Sequence, residues 1–228
     1  MRILDRNNAG AAQTVNYVDS SLIAGHKVLR NTYMLLAMTL LFSAFSAGLS
    51  MVFAMPVMNI FVVLIGYFGL LFLTTKLRNS AWGIASVFAL TGFMGLTLGP
   101  IISRYLSMPG GSGIVMSAMG LTAVIFLGLS AYVLISKRDF SFMGGFLAVG
   151  ILVAFVASLG AFFFEIPALS IAVSAAFVLL MSGLILFETS NIIRGGETNY
   201  IMATVTLYIT IFNLFTSLLQ ILGFIEKE

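Results

Sequence analysis

One carboxylate and one row of hydroxyls and amides hold most of the chemistry this sequence can offer in an apolar setting. Glu188 closes a charge-free run, residues 166–187, and leads through Thr189, Ser190 and Asn191 into the turn Arg194-Gly195-Gly196-Glu197. A second charge-free run follows, residues 198–225, in which Thr206, Thr210, Asn213, Ser217 and Gln220 recur at spacings of four, three, four and three. That rhythm sets the five side chains on one stripe of an α-helix. An acid within an apolar helix can exchange a proton or hold a cation. A polar stripe can line a path for water or tie helices together.

The elements that must position these groups are membrane helices. The chain has 228 residues, 60% hydrophobic and 8% charged, with a mean hydropathy of +1.11. This is too little polar surface to cover a soluble globule of that size. A hydrocarbon core of about 30 Å takes about 20 residues of helix to cross. Six charge-free runs are long enough: residues 31–75, 79–103, 105–136, 140–164, 166–187 and 198–225. The first can hold two spans and is broken at Met55-Pro56-Val57-Met58-Asn59. The reading is an all-α polytopic membrane protein, a bundle of seven transmembrane helices at about 32–53, 57–75, 82–103, 113–135, 142–164, 167–193 and 199–223. Continuous apolar runs exclude a transmembrane barrel, whose strands alternate apolar and polar residues.

The seven-helix domain is read as residues 26–225. It is preceded by a flexible soluble tail, residues 1–25, that opens at Met1 and closes at Gly25, and is followed by a short C-terminus, residues 226–228. His26 stands at the membrane edge and reads as an interfacial residue. With the N-terminus in the cytoplasm, nine Lys and Arg residues fall inside and only Arg104 and Lys227 outside. The positive-inside rule therefore places the N-terminus in the cytoplasm and the C-terminus outside. The net charge of +3 is explained by these helix ends, so nucleic acid is not an expected partner; the lipid bilayer is. The absence of cysteine and the single histidine exclude disulfides, thiolate chemistry and His/Cys metal sites. No HExxH, GxSxG or phosphate-binding loop occurs, and no close pair of intramembrane acids. The chain reads as a non-enzyme without a cofactor.

Five polar side chains along one helix must turn toward other helices or water, because an unpaired hydroxyl or amide in hydrocarbon is costly. Helix seven is therefore expected inside the bundle. Its stripe either bonds neighbouring helices or lines a water path. Counted from Pro167, Glu188 lies roughly 30 Å along helix six, in the cytoplasmic part of the membrane. It reads either as a proton-linked switch with Lys76 or Arg78 nearby, or as an interfacial acid that snorkels or pairs with Arg194. Gly95 and Gly99 have small-xxx-small spacing and read as a tight helix contact, with Pro100 adding a kink that neighbours must satisfy.

Several separated motifs together resemble the bacterial branch of the Bax inhibitor family. They are Pro100-Ile101-Ile102-Ser103-Arg104-Tyr105, Lys137-Arg138-Asp139-Phe140-Ser141-Phe142, Phe187-Glu188-Thr189-Ser190-Asn191-Ile192-Ile193, and Leu207-Tyr208-Ile209-Thr210-Ile211-Phe212-Asn213-Leu214-Phe215. The resemblance implies seven helices with the last one central, in a bacterial inner membrane. It also implies two activities. One is regulation of FtsH, a membrane-anchored ATP-dependent protease, together with its membrane partner proteins, as a slowly processed substrate or an inhibitor; the tail of residues 1–25 would be the segment the protease engages. The other is a pH-sensitive leak for calcium or protons, in which a helix-six acid matches Glu188, a helix-seven acid matches Thr210 and a basic residue matches Lys76. Thr210 is not an acid, so the chain departs from the paired-acid gate. A purely structural membrane component is the third class.

Overall fold

The computed structural model describes the backbone of residues 2–226 and the side chains of residues 27–226. Residues 1–25, read above as the tail, lie outside the described side chains. Seven α-helices follow one another: α1 (Arg2–Val52), α2 (Ile60–Leu77), α3 (Trp82–Leu106), α4 (Gly111–Ser136), α5 (Gly144–Phe163), α6 (Pro167–Ile193) and α7 (Tyr200–Ile225), with a short 3-10 turn, Ser141–Met143, before α5. Each is long and apolar enough to cross a membrane, with Lys27–Val52 as the first span. The fold is all-α, and no strand occurs among the described residues. Helix α2 begins at Ile60, three residues after the predicted start at Val57. Its first turn is set by Asn59, whose side chain accepts from the Phe61 N–H at 2.9 Å.

Helix α7 packs against α1, α3, α4 and α6, and α3 packs against α1, α2, α4 and α7. In each of these two helices 56% of the most apolar window is buried, against 6% in α2. The interior is therefore α7 and α3, and α2 stands at the rim against α3. What holds α7 in place is legible at Tyr208, which is 1% exposed. Its hydroxyl meets Ser43 Oγ of α1 at 2.6 Å and donates to the Thr91 carbonyl of α3 at 3.2 Å. One phenol thus joins three helices, and burying it without those partners would cost several kcal/mol in hydrocarbon.

The α1–α3 contact is close because α3 offers glycine where α1 offers backbone. A Cβ built on Gly95 would overlap the Ser43 carbonyl oxygen, and one on Gly99 would lie 2.6 Å from Ser50 Cβ and 2.8 Å from the Ala47 carbonyl oxygen. Pro100, buried in α3, has no N–H to return to the Leu96 carbonyl four residues back. Ser50 Oγ donates to that carbonyl at 2.9 Å. The close approach that Gly99 permits brings in the hydroxyl that Pro100 makes necessary.

Overpacking a helix contact typically costs about 1–3 kcal/mol. Gly95→Ala is therefore expected to lower the unfolding midpoint in detergent, whereas Gly48→Ala on α1, with nothing within 4 Å, is expected to leave it unchanged or raise it. Equal effects would contradict the close α1–α3 contact. Ser50→Ala strands the Leu96 carbonyl and is expected to cost about 1–3 kcal/mol, read in the same unfolding measurement.

Candidate functional site

The seam between α6 and α7 carries the polar groups, and one of its ends is fixed by a side-chain cap. Asn199 starts α7: its side-chain oxygen accepts from the Ile201 and Met202 N–H groups at 3.0 and 3.1 Å. Its amide nitrogen donates across to the Arg78 carbonyl at 3.0 Å and to Asn79 Oδ1 at 2.9 Å. The α6–α7 turn is thereby bound to the α2–α3 turn. At the same end, Arg194 Nη2 donates to the Lys137 carbonyl at 2.8 Å, and Arg194 Nε lies 3.6 Å from Asp139 Oδ1. Ser190 Oγ accepts from the Phe140 N–H at 3.1 Å. The Ser141 hydroxyl and N–H on Asp139, at 2.6 and 2.9 Å, hold its carboxyl below the usual carboxylate range. Three turns are joined into one hydrogen-bonded plate under the α6–α7 seam.

The predicted stripe on α7 divides into two kinds of group. Thr210 is fully buried and its hydroxyl donates to the Thr206 carbonyl at 2.7 Å, and Asn213 Nδ2 donates to the Ile209 carbonyl at 2.8 Å. Both donate to their own helix, and Asn213 keeps its Oδ1 for the cavity beside it. Thr216, outside the predicted stripe, does the same toward the Phe212 carbonyl at 3.0 Å. Gln220 instead crosses to α6: its Oε1 accepts from Ser174 Oγ at 2.7 Å and its Nε2 donates to Ser170 Oγ. Ser170 and Ser174 were not singled out in the sequence. Their spacing of four on α6 was the available signal, opposite an amide on the next helix.

A cavity of about 450 Å³ opens beside this stripe. Asn213, Thr216 and Ser217 of α7, Ser174 of α6 and Ser158 of α5 form one side of its lining, and apolar side chains, among them Phe155 and Phe162 of α5 and Phe177 of α6, form the rest. The Phe155 ring is in edge contact with Phe68 of α2, with centroids 6.3 Å apart. A second cavity, of about 340 Å³, lies at the end of the bundle away from the basic turns, where Arg104 and Tyr105 of α3, Met108 and Pro167 form its wall. Both cavities are bordered by Ser170 and Gln220.

Glu188 lies on α6 and is half-buried. Fourteen residues along each antiparallel helix from the Ser174–Gln220 bond, Glu188 comes level with Thr206, not Thr210. Thr210 is a helical turn further into the membrane, about 6 Å. The expected cation partners are engaged or placed elsewhere. Lys76 is exposed at the end of α2, a helix whose larger contact is with α3, and Arg194 is held by Asp139 and Lys137. Among the described residues the ion pair present joins Arg194 and Asp139, and Glu188 forms none. Glu197, in the turn after α6, is itself engaged, its Oε1 accepting from the Asn199 N–H at 2.7 Å. Among the described residues no three His, Cys, Asp or Glu side chains stand together as metal ligands.

Comparison with known proteins places relatives beside this geometry. The family described as "Inhibitor of apoptosis-promoting Bax1" matches residues 25–227. The chain is 52% identical over 209 residues to the "Modulator of FtsH protease YccA" of Escherichia coli, covering 92% of this chain and 95% of that one. It is 58% identical over 196 residues to an uncharacterised protein of Pseudomonas aeruginosa, covering 86% and 88%. It is 46% identical over 204 residues to a membrane protein of Vibrio cholerae, covering 89% and 92%.

Removing the Asn199 side chain is expected to cost about 1 kcal/mol through the lost cap and to expose the α2–α3 turn. Asn199→Ala should be cut faster by protease at residues 78–81, with a lowered unfolding midpoint; cleavage at the original rate would contradict the plate. Because the Asp139 carboxyl is held down, its contribution is present above the ordinary Asp range and is lost only as pH falls through its depressed value. Protection of residues 137–143 from hydrogen exchange, corrected for intrinsic rate, should thus hold from neutral pH down past about 4.

Proposed function

The chain belongs to the Bax inhibitor family, and from that premise we propose that it is an inner-membrane modulator of the membrane-anchored ATP-dependent protease FtsH. The observation that carries the reading is its 52% identity, over nearly the full length of both chains, to a protein named as the modulator of that protease. The physical motive is independent of the name. A processive protease anchored in the same membrane needs an accessible segment of its client, and residues 1–25 are polar enough to leave the membrane. A seven-helix bundle joined by Tyr208 and the Gly95 contact resists extraction. Slow processing of such a client occupies the protease and spares others. The N-terminus and the basic turns are taken as cytoplasmic, the side on which nine of eleven Lys and Arg residues fall.

In cells carrying FtsH, overproduction of this chain should lengthen the half-life of another membrane substrate of the protease. Deleting residues 2–20 should abolish that effect and lengthen the chain's own half-life. A substrate half-life that does not respond to overproduction contradicts the proposal; an unchanged response after the deletion contradicts the role of the tail.

One observation favours a second reading, a pH-dependent leak for calcium or protons: Glu188 stands in a membrane helix without an ion-pair partner among the described residues. It lacks the helpers such a gate needs, since the Thr210 hydroxyl is bonded to its own helix and Lys76 points out at the rim. On this reading, protein reconstituted in liposomes passes calcium with a pH dependence that vanishes in Glu188→Gln. Identical flux in the two proteins removes Glu188 from the mechanism.

A further inference from the structure

The two cavities lie in line along α7. From Gln220 to Asn213 is seven residues, about 10 Å of helix, so the 450 Å³ chamber reaches from near one membrane surface toward the bilayer middle. Between it and the 340 Å³ vestibule stands the Gln220 amide, bonded on both sides to α6: Ser174 Oγ donates to Oε1 at 2.7 Å and Nε2 donates to Ser170 Oγ. Ser170 and Gln220 border both spaces. The Ser158, Ser174 and Thr216 hydroxyls and the Asn213 Nδ2 donate within the protein, and the Asn213 Oδ1 and the Ser217 hydroxyl on the chamber wall can bond enclosed water or a solute. The charge on the vestibule wall is Arg104 alone among its lining residues; Glu165 and Glu226 stand at the same end, outside that lining.

We propose that Gln220, clamped by Ser170 and Ser174, is a hydrogen-bonded plug between the vestibule and a chamber with one hydroxyl- and amide-bearing wall, and that the route behind it takes small neutral or anionic hydrogen-bonding solutes in preference to divalent cations. The chemistry is that of the walls. Hydroxyls and carboxamides can replace the hydration of a neutral polar solute or a small anion, and a single guanidinium at the mouth repels cations before they reach the plug. No carboxylate lines either cavity to offset that repulsion or to strip a divalent ion of water. The plug opens by exchange of two side-chain hydrogen bonds for water, without displacement of a helix. The assignment does not depend on the protease reading.

The chain contains no cysteine, so single cysteines report accessibility without background. Thr216→Cys lies in the chamber, Met108→Cys in the vestibule and Leu214→Cys in the packed core. Each is treated, in sealed membranes with the vestibule end outward, with membrane-impermeant methanethiosulfonates bearing either a sulfonate or a trimethylammonium group. The expected result is that Met108→Cys reacts readily, and that Thr216→Cys reacts slowly with Gln220 present. Its rate should rise about tenfold in Gln220→Ala and in the double variant Ser170→Ala with Ser174→Ala, the factor for about 1.4 kcal/mol of lost hydrogen bonding. With each rate divided by that reagent's rate on a free thiol in solution, the sulfonate should be favoured over the trimethylammonium at Met108→Cys, and the preference should disappear in Arg104→Gln. Equal Thr216→Cys rates with and without Gln220 would overturn the plug. So would reaction of Leu214→Cys in the Gln220→Ala background, since it would mean loosened packing in place of an opened route. A normalised rate higher for the cationic reagent would overturn the selectivity.

Discussion

Hydrocarbon offers no hydrogen bonds, so every hydroxyl and amide on α7 has to be satisfied by protein or by enclosed water. That requirement accounts for the position of α7 and, through it, for most of the bundle. Tyr208 finds partners only where α1 and α3 meet α7, and Gln220 only against the serines of α6. A helix with such needs on two faces cannot lie at the rim. The helices without them, α2 and α5, do: their side chains present large apolar surfaces such as Phe72 and Phe146 to the surroundings.

The same requirement separates acid from amide. Thr210, Asn213 and Thr216 each donate to one of α7's own carbonyls, whereas Gln220 is the stripe residue bonded to another helix. Glu188 lies at the opposite end of the seam, beside the plate of turns held by Asn199, Ser190 and Arg194. The seam therefore has a rigid, basic-residue-bound end and an end closed by one exchangeable amide. The cavities belong to the second.

Much of this was legible in the sequence, and the reasons differ residue by residue. Charge-free runs displayed seven helices because membrane thickness sets a length scale that composition must meet. The four-and-three spacing placed Thr206 to Gln220 on one stripe because helix geometry is fixed. The family resemblance, carried by motifs around Arg104, Asp139, Glu188 and Asn213, is matched over residues 25–227. What spacing along one chain cannot hold is which helix stands beside which. Lys76 looked a natural partner for Glu188, yet α2 packs on α3 alone among its larger contacts. Tyr208 was passed over because it sits in the apolar row between Leu207 and Ile211, and its three-helix junction exists only after assembly. Ser170 and Ser174 gained meaning only from facing Gln220.

The central claim is that α7 is the enclosed helix of the bundle, with its polar groups facing protein and an internal chamber, not lipid. Spin labels placed singly at residues 206–220 of the cysteine-free chain, in bilayers, test it directly through relaxation by oxygen, which concentrates in lipid, and by a polar nickel chelate, which follows water. The account predicts low oxygen accessibility at every position and a chelate signal confined to the chamber and vestibule positions Asn213, Thr216, Ser217 and Gln220. A strong oxygen signal recurring every three to four residues along α7 would mark a helix face on lipid and contradict the account.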